Sequence, residues 1–274
     1  MSKGVISISV NEEIYYQWVE ILFRTIRMFS NIELALVYDN KEWFSKYHLN
    51  EMVNHPIYIE KIEDPYSFRH HLIDYTPFFN TIFIDADTII FKDISVFFDK
   101  QPFCIDGYYD GEKMVDSIIN PFFEDPDTLM KRHNLKRLYS SYTGFMRFEK
   151  TDFYKQLFHR VLNNDYYNEK VVERYGRGIM PEDYLFNLTI SDMELEYFMP
   201  IKVFYSYVNW GNSLNAQQDN VEDFYGFTFQ GSSMLPNRTI NLKNKIFDTL
   251  TNIGFNSYPL RDGTYMNITK NKLI

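Results

Sequence analysis

Thr81-Ile82-Phe83-Ile84-Asp85-Ala86-Asp87-Thr88-Ile89-Ile90-Phe91 is the stretch on which the reading of this chain turns. Its first four residues predict a buried strand, and β character resumes at Thr88. The strand delivers two carboxylates, one residue apart, onto the loop at its end. Period-two geometry lets both point to one side if the strand conformation runs through them. Paired carboxylates at a strand end form a hard-oxygen site suited to magnesium or manganese, which in turn neutralises a diphosphate. A solvated acidic turn is the structural alternative. The apolar run before the pair and the β run after it argue against a casual turn.

Working outward, the residues before this stretch alternate strand and helix signals. Val5 to Val10 is β-rich, and Asn11 reads as an N-cap with Glu12 and Glu13 in the first helical turn. Ile14, Trp18, Ile21, Leu22, Ile26 and Phe29 recur at helical spacing. Leu34 to Tyr38 predicts a second strand ending at Asp39-Asn40, Glu42 to Val53 a helix, Ile57 to Ile59 a weaker strand, and Phe68 to Tyr75 a helix stopped by Pro77. This β-α-β-α-β-α-β order implies an open, mostly parallel α/β sheet whose ligands collect at the carboxyl ends of its strands. Beyond residue 100 the pattern loosens into α+β. Tyr142 to Phe148, Ile201 to Tyr207 and Phe224 to Gln230 read as strands, and Asp152 to Leu162 and Glu182 to Ile190 as helices. There is no repeat and no Pro/Gly/Ser linker. The expected organisation is one domain over 1–236, with halves at 1–110 and 111–236, and an Asn/Lys-rich extension over 237–274 packed on it.

Composition bounds the function. The chain has 274 residues, 45% hydrophobic and 24% charged, which suits a soluble globular protein with ample core. A formal charge of -9 disfavours a general nucleic-acid binder. A lone Cys104, set between Phe103 and Ile105, excludes a disulfide framework and a multi-cysteine zinc site, and reads as a buried thiol. No signal-peptide pattern and no run of spanning length are visible, so a cytoplasmic location is expected. The sequons at Asn187, Asn237 and Asn267 are then incidental.

Thr76-Pro77-Phe78, two further residues, the four strand positions Thr81 to Ile84, Asp85-Ala86-Asp87-Thr88, a second strand and Lys92-Asp93-Ile94-Ser95-Val96-Phe97-Phe98 together resemble the GT-A nucleotide-sugar glycosyltransferases, near the glycogenin-like family 8 group. The resemblance is specific over roughly residues 60 to 110 and runs in order to about residue 235. It implies a GT-A (Rossmann-like) open mixed sheet with helices on both faces and an α+β acceptor half. It also implies a nucleoside-diphosphate sugar as donor, with Asp85 and Asp87 flanking Mn2+ or Mg2+ and Ala86 between them. By the same resemblance Val10 and Asn11 match the loop that touches the nucleoside, and Asp39 is placed to meet base or ribose. Arg69 stands where such enzymes direct a cation at the donor. Tyr142-Thr143-Gly144-Phe145-Met146 is similar to the Asn-Ser/Thr-Gly-Val-Met segment beside the donor sugar, with Tyr142 in place of the Asn. Glu182-Asp183 looks like the helix start that supplies a catalytic base, Asp183 being the candidate to take the acceptor proton. Arg174 and Arg177 lie in a loop suited to closing over a diphosphate. One departure concerns the metal: Thr228 stands where relatives have a third, histidine ligand, with Gln230 nearby as a carbonyl donor. Each position also has an ordinary reading: a helix cap for Asn11, a solvated charge for Arg69, a bulge for Gly144, a helix-start acid for Asp183.

The expected activity is therefore metal-dependent transfer from a nucleoside-diphosphate sugar, UDP-glucose or another UDP-sugar, to a hydroxyl of a glycan, small molecule, protein or modified DNA base. The last acceptor is suggested by the basic stretch Lys131 to Arg137, with Tyr139 and Tyr142 close by. Two alternatives stand beside it: a haloacid-dehalogenase-like phosphatase, which shares an apolar strand followed by Asp-x-Asp, and a nucleotide-sugar binding protein without turnover.

Overall fold

The computed structural model describes residues 1–62, 67–107, 126–136, 141–162, 182–195, 199–201, 204–206, 224–229, 240–261 and 263–267. In chain order the elements are β1 (Lys3–Ser9), α1 (Glu13–Arg27), β2 (Glu33–Tyr38), α2 (Lys41–Lys46), α3 (Leu49–Met52) and β3 (His55–Tyr58). A 3-10 turn (Ser67–His71) runs into α4 (Leu72–Tyr75), followed by β4 (Asn80–Ile84), β5 (Thr88–Ile90), a second 3-10 turn (Ile94–Asp99) and β6 (Phe103–Gly107). The remainder comprises α5 (Pro126–His133), β7 (Ser141–Glu149), α6 (Asp152–Leu162), α7 (Glu182–Asp192), β8 (Met199–Ile201), β9 (Phe204–Ser206), β10 (Gly226–Thr228), α8 (Ile240–Asn252), β11 (Ser257–Pro259) and β12 (Tyr265–Asn267).

The main sheet has the order β3-β2-β1-β4-β7-β6-β8. Strands β3, β2, β1 and β4 are parallel; β7 runs antiparallel to both β4 and β6, and β8 is parallel to β6. Alternation along the strands divides the side chains between two cores. Val5, Leu34, Leu36, Ile82, Ile84, Cys104 and Phe145 pack with α1 and α8 on one face. Ile6, Ala35, Val37, Phe83, Phe103, Met146 and Phe148 pack with α4, α6 and α7 on the other. Both faces are thus covered by helices, as expected for parallel strands. Gly4 is required by packing, because a Cβ there would lie 2.3 Å from the Phe78 ring. Strand β7 also buries Arg147, whose guanidinium donates to the Gln101 and Phe98 carbonyls, to Asn80 Oδ1 and to Glu149 Oε1.

A second, three-stranded sheet has the order β5-β10-β9. It brings the segment after the Asp-x-Asp loop against Gly226–Thr228, 140 residues away at the Thr88–Thr228 pair. The C-terminal residues join the same core: Leu242, Ile246, Leu250, Tyr258 and Leu260 are buried with α1 and the sheet.

Three local expectations need correction. Asn11 is not a helix cap. It has φ 69, in the left-handed region that Asn tolerates, and Glu12 takes the N-cap position of α1 without a side-chain bond. Asx capping is seen at the next helix, α2, where Asn40 Oδ1 accepts from the backbone N–H of Glu42 and Trp43 at 3.0 Å each. The single helix expected over Glu42–Val53 is two short ones, divided by His48 at φ 52. The strand expected over Ile201–Tyr207 divides into β8 and β9, which belong to different sheets. Cys104 is buried, as its neighbours suggested, and Asn187 is also fully buried, which denies its sequon to a glycan in the folded chain.

Candidate functional site

The carboxyl ends of β1, β2 and β4 meet the start of the antiparallel β7 at one edge of the main sheet, the place where ligands of open α/β sheets collect. Val10, Asn11, Asp39, Arg69, Asp85, Ala86, Asp87, Thr143 and Gly144 all lie on the segments that form or border this edge.

Asp85 is the centre of a tight knot. Its Oδ1 accepts from Arg69 Nη2 at 2.6 Å and its Oδ2 from the Tyr142 hydroxyl at 2.8 Å. Arg69 Nη1 also donates to Thr143 Oγ1 at 3.1 Å, and its guanidinium lies 5.4 Å from the Phe83 ring centroid. The backbone N–H of Asp85 donates to the Gly144 carbonyl at 2.8 Å, carrying the β4–β7 ladder one residue past β4. Charge-assisted bonds of this kind are among the strongest in a protein, and here they hold a nearly buried carboxylate in one orientation.

Gly144 acquires a specific purpose in this arrangement. A Cβ on it would stand 2.1 Å from Tyr142 Cε1 and 2.6 Å from the hydroxyl. The space over Gly144 is filled by the Tyr142 ring, which crosses it to reach Asp85. The close approach that a strand glycine signals is therefore made by a side chain of the same strand.

At the far end of the edge Asp39 ties the first loop to α1. Its Oδ2 accepts from the Asn11 backbone N–H at 2.8 Å and its Oδ1 from the Tyr16 hydroxyl at 2.8 Å. Tyr16 in turn accepts from the backbone N–H of Asp39 and Asn40, at 3.0 and 2.8 Å. Burial, followed by the Asp39 bond, holds the Tyr16 phenol well above its ordinary range, so it stays a neutral donor. Turned to donate, the Asn11 amide reaches the Ile62 carbonyl at 3.2 Å. Tyr16 was invisible as a site residue in the sequence, where its place in an amphipathic helix reads as core alone.

Position 228 is beside the acidic pair. Its backbone pairs with Thr88, the next residue gives its N–H to the Asp87 carbonyl at 2.9 Å, and the Thr228 and Thr88 hydroxyls meet at 3.1 Å. The side chain is fully buried in that contact. Among the described residues no three His, Cys, Asp or Glu side chains converge on a metal position. The donor set nonetheless fits a magnesium-like ion. Such an ion keeps several waters and is held by one or two carboxylates plus substrate phosphates, with hydrogen-bonded supporters such as Arg69 and Tyr142 behind the ligands. The Tyr258 hydroxyl, buried and without a partner among the described residues, lies next to this region.

Glu182 and Asp183 open α7, whose next turn is buried beside the Arg69 turn, with Phe186 5.3 Å from the His70 ring. Their side chains, and that of Tyr184, lie outside the described residues, as do Arg174, Arg177 and Gln230. In the basic stretch, Lys131 and Arg132 end α5 exposed, and Lys136 pairs with Glu194 at 2.8 Å. Arg137 and Tyr139 lie outside the described residues, and Tyr142 belongs to the Asp85 knot. No described helix is long and apolar enough to cross a membrane.

No family model matches the sequence, and no curated protein matches it either. Solved structures do match the fold. The WbbM bifunctional glycosyltransferase superposes with a TM-score of 0.57 at 11% identity, covering 92% of this chain and 50% of WbbM. Mouse xyloside xylosyltransferase 1 gives 0.52 at 10% identity, covering 77% and 89%. The galactosyltransferase LgtC, solved with donor and acceptor sugar analogues, gives 0.51 at 8%, covering 76% and 77%. The chain spans only 44% of the length of the glycosyltransferase GlyE of Streptococcus pneumoniae TIGR4, a looser likeness at TM-score 0.45 and 13% identity over 70% of this chain. At these identities the likeness is one of architecture alone: a mixed sheet of parallel and antiparallel strands with helices on both faces. The chain has the α/β GT-A fold.

Proposed function

We propose that the chain is a metal-dependent glycosyltransferase that moves a sugar from a nucleoside-diphosphate sugar, a UDP-sugar such as UDP-glucose, to a hydroxyl acceptor. The observation that carries this reading is the joining of Arg69, Asp85, Tyr142 and Gly144 into one knot beside Asp87 at the ligand-binding edge of a GT-A sheet. A divalent Mn2+ or Mg2+ held by Asp87 and Asp85 would neutralise the charge of the departing nucleoside diphosphate.

The chain's own residues supply the rest. Arg69 and Tyr142 fix the Asp85 carboxylate in one orientation, beside Asp87, towards the donor diphosphate. Val10, Asn11 and Asp39 border the nucleoside, their loop held rigid by Tyr16. Thr143 and Gly144 border the donor sugar. Asp183, at the start of α7 with Glu182 before it, takes the proton of the acceptor hydroxyl. A phosphatase of the haloacid-dehalogenase type is not favoured: its acidic pair normally follows the first strand, whereas Asp85 follows β4.

The test is a thermal-shift screen of nucleoside diphosphates and their sugars with and without Mn2+. A ligand at a hundred times its Kd adds about 2.7 kcal/mol, which for a chain of this size is a rise of roughly 5–10 °C. One nucleoside diphosphate should produce such a rise only with metal present, and Asp87→Ala should abolish it. An unchanged response in Asp87→Ala would sink the reading.

A further inference from the structure

The C-terminal hairpin reaches the donor edge from both sides. On one side Arg261 pairs with Glu12, the residue after Asn11, at 2.7 Å, and lies over the Tyr15 ring at 6.0 Å. Trp18 Nε1 donates to the Pro259 carbonyl at 2.7 Å. On the other side the Tyr258 ring is stacked on Phe229, with centroids 3.7 Å apart and planes at 13°. Phe229 is the residue whose N–H binds the Asp87 carbonyl. A segment outside the reach of the family resemblance, which fades near residue 235, therefore touches the residue that follows Asn11 and the residue bound to the Asp87 backbone.

Tyr258 is the unexplained member. It is 1% exposed, and its hydroxyl has no hydrogen-bond partner among the described residues. Leaving a buried hydroxyl unpaired is costly, and a Phe at this position would keep the stacking without that cost. A tyrosine phenol is protonated at neutral pH and so able to donate. An unpaired buried donor, on a ring stacked against the residue that binds Asp87, is the arrangement expected of a group whose acceptor arrives with the ligand that Asp87 receives. Ser9, at the end of β1 on the same edge, is a second buried hydroxyl with no partner among the described residues.

We infer that Tyr258 is part of the donor site, its hydroxyl donating a hydrogen bond to an oxygen of the diphosphate that Asp87 receives. The inference rests on the donor reading above and adds to it a residue that neither the Asp-x-Asp motif nor the family pattern points to. It also assigns the C-terminal hairpin a part in binding: Trp18 and Arg261 hold Tyr258 in register with the nucleoside loop.

The probe is UDP, with the other nucleoside diphosphates as alternatives, titrated calorimetrically in Mn2+ against the full chain and Tyr258→Phe. Hydrogen bonds to charged groups are strong enough that the variant should bind about ten- to a hundredfold more weakly. Its melting temperature without ligand should equal or exceed that of the parent, since an unpaired buried hydroxyl has been removed. Binding within twofold of the parent overturns the inference while leaving the donor reading intact. A fall of several degrees in the unliganded melting temperature also overturns it, because the hydroxyl would then already have a structural partner. Failure of the parent chain to bind any nucleoside diphosphate overturns the donor reading, and this inference with it.

Discussion

Gly144 and Tyr142 show how one missing side chain sets the state of another. The Tyr142 phenol reaches Asp85 only by crossing the backbone where a Cβ would stand 2.1 Å from its ring. Gly144→Ala should therefore push the ring aside and break its bond to Asp85. The steric part of that change costs about 1–3 kcal/mol of stability. Loss of the hydroxyl bond frees the Asp85 carboxylate on one side and should weaken metal-dependent UDP binding. A double-mutant cycle separates the two effects. In a Tyr142→Phe background the ring is still displaced, so the stability cost of Gly144→Ala persists. Its effect on binding should vanish, because the hydroxyl has already gone. An undiminished binding effect in that background would mean that Gly144 serves the ligand directly.

At the scale of elements, the turn over Ser67–His71 presents Arg69 to the site and turns His70 inward. His70 is buried against Phe186, with neither ring nitrogen partnered among the described residues. Burial, then the charges of Arg69 and His71, push its imidazole down to about 3. Below its ordinary pKa near 6.5 the unfolded chain takes up a proton that the folded chain refuses until about pH 3. The stability this group confers is thus present in full above pH 6.5 and declines as the pH falls towards 3, on the order of 1 kcal/mol per unit. Urea unfolding at pH 7 and pH 5 should show His70→Leu losing about 2 kcal/mol less than the parent over that interval. Equal losses in the two proteins would show that His70 is hydrated or partnered in the folded state. Acidification also acts on other groups, Glu13 among them, but these cancel in the comparison.

The same element scale explains what the sequence could and could not disclose. β1, β2, β4, β7, α1, α6 and α7 were legible because burial imposes a period on each of them, and the Asp-x-Asp loop because an apolar strand frames it. The Asp85 knot was not legible. Tyr142 lies 57 residues from Asp85, and only the antiparallel register of β4 on β7 makes them neighbours. Two asparagines, Asn11 and Asn40, carry the same local signal before a helix. Asn40 caps α2, whereas Asn11 gives its backbone N–H to Asp39 and stands one residue before the N-cap of α1 without capping it. His48 divides a continuous helical pattern because it adopts a left-handed conformation that no periodicity records.

For the whole molecule, an excess of 37 acidic over 28 basic residues would repel a diphosphate, so the attraction has to be local. Arg69 and a divalent ion provide it on the donor reading. Whether residues 237–274 are an accessory or a structural part of the domain follows from what they bury. Leu242, Ile246, Leu250, Tyr258 and Leu260 enter the core shared by α1 and the sheet, and Trp18 gives its indole N–H to Pro259. Five such side chains represent roughly 8–15 kcal/mol of transfer free energy, an upper estimate because unfolded chains already bury some surface. The net stability of a domain is only about 5–15 kcal/mol. A chain ending at residue 236 should accordingly lack a cooperative thermal transition and bind a hydrophobic dye at 25 °C. A truncated chain that melts cooperatively within a few degrees of the full one would show that the first 236 residues form a complete core, with the C-terminal segment only laid upon it.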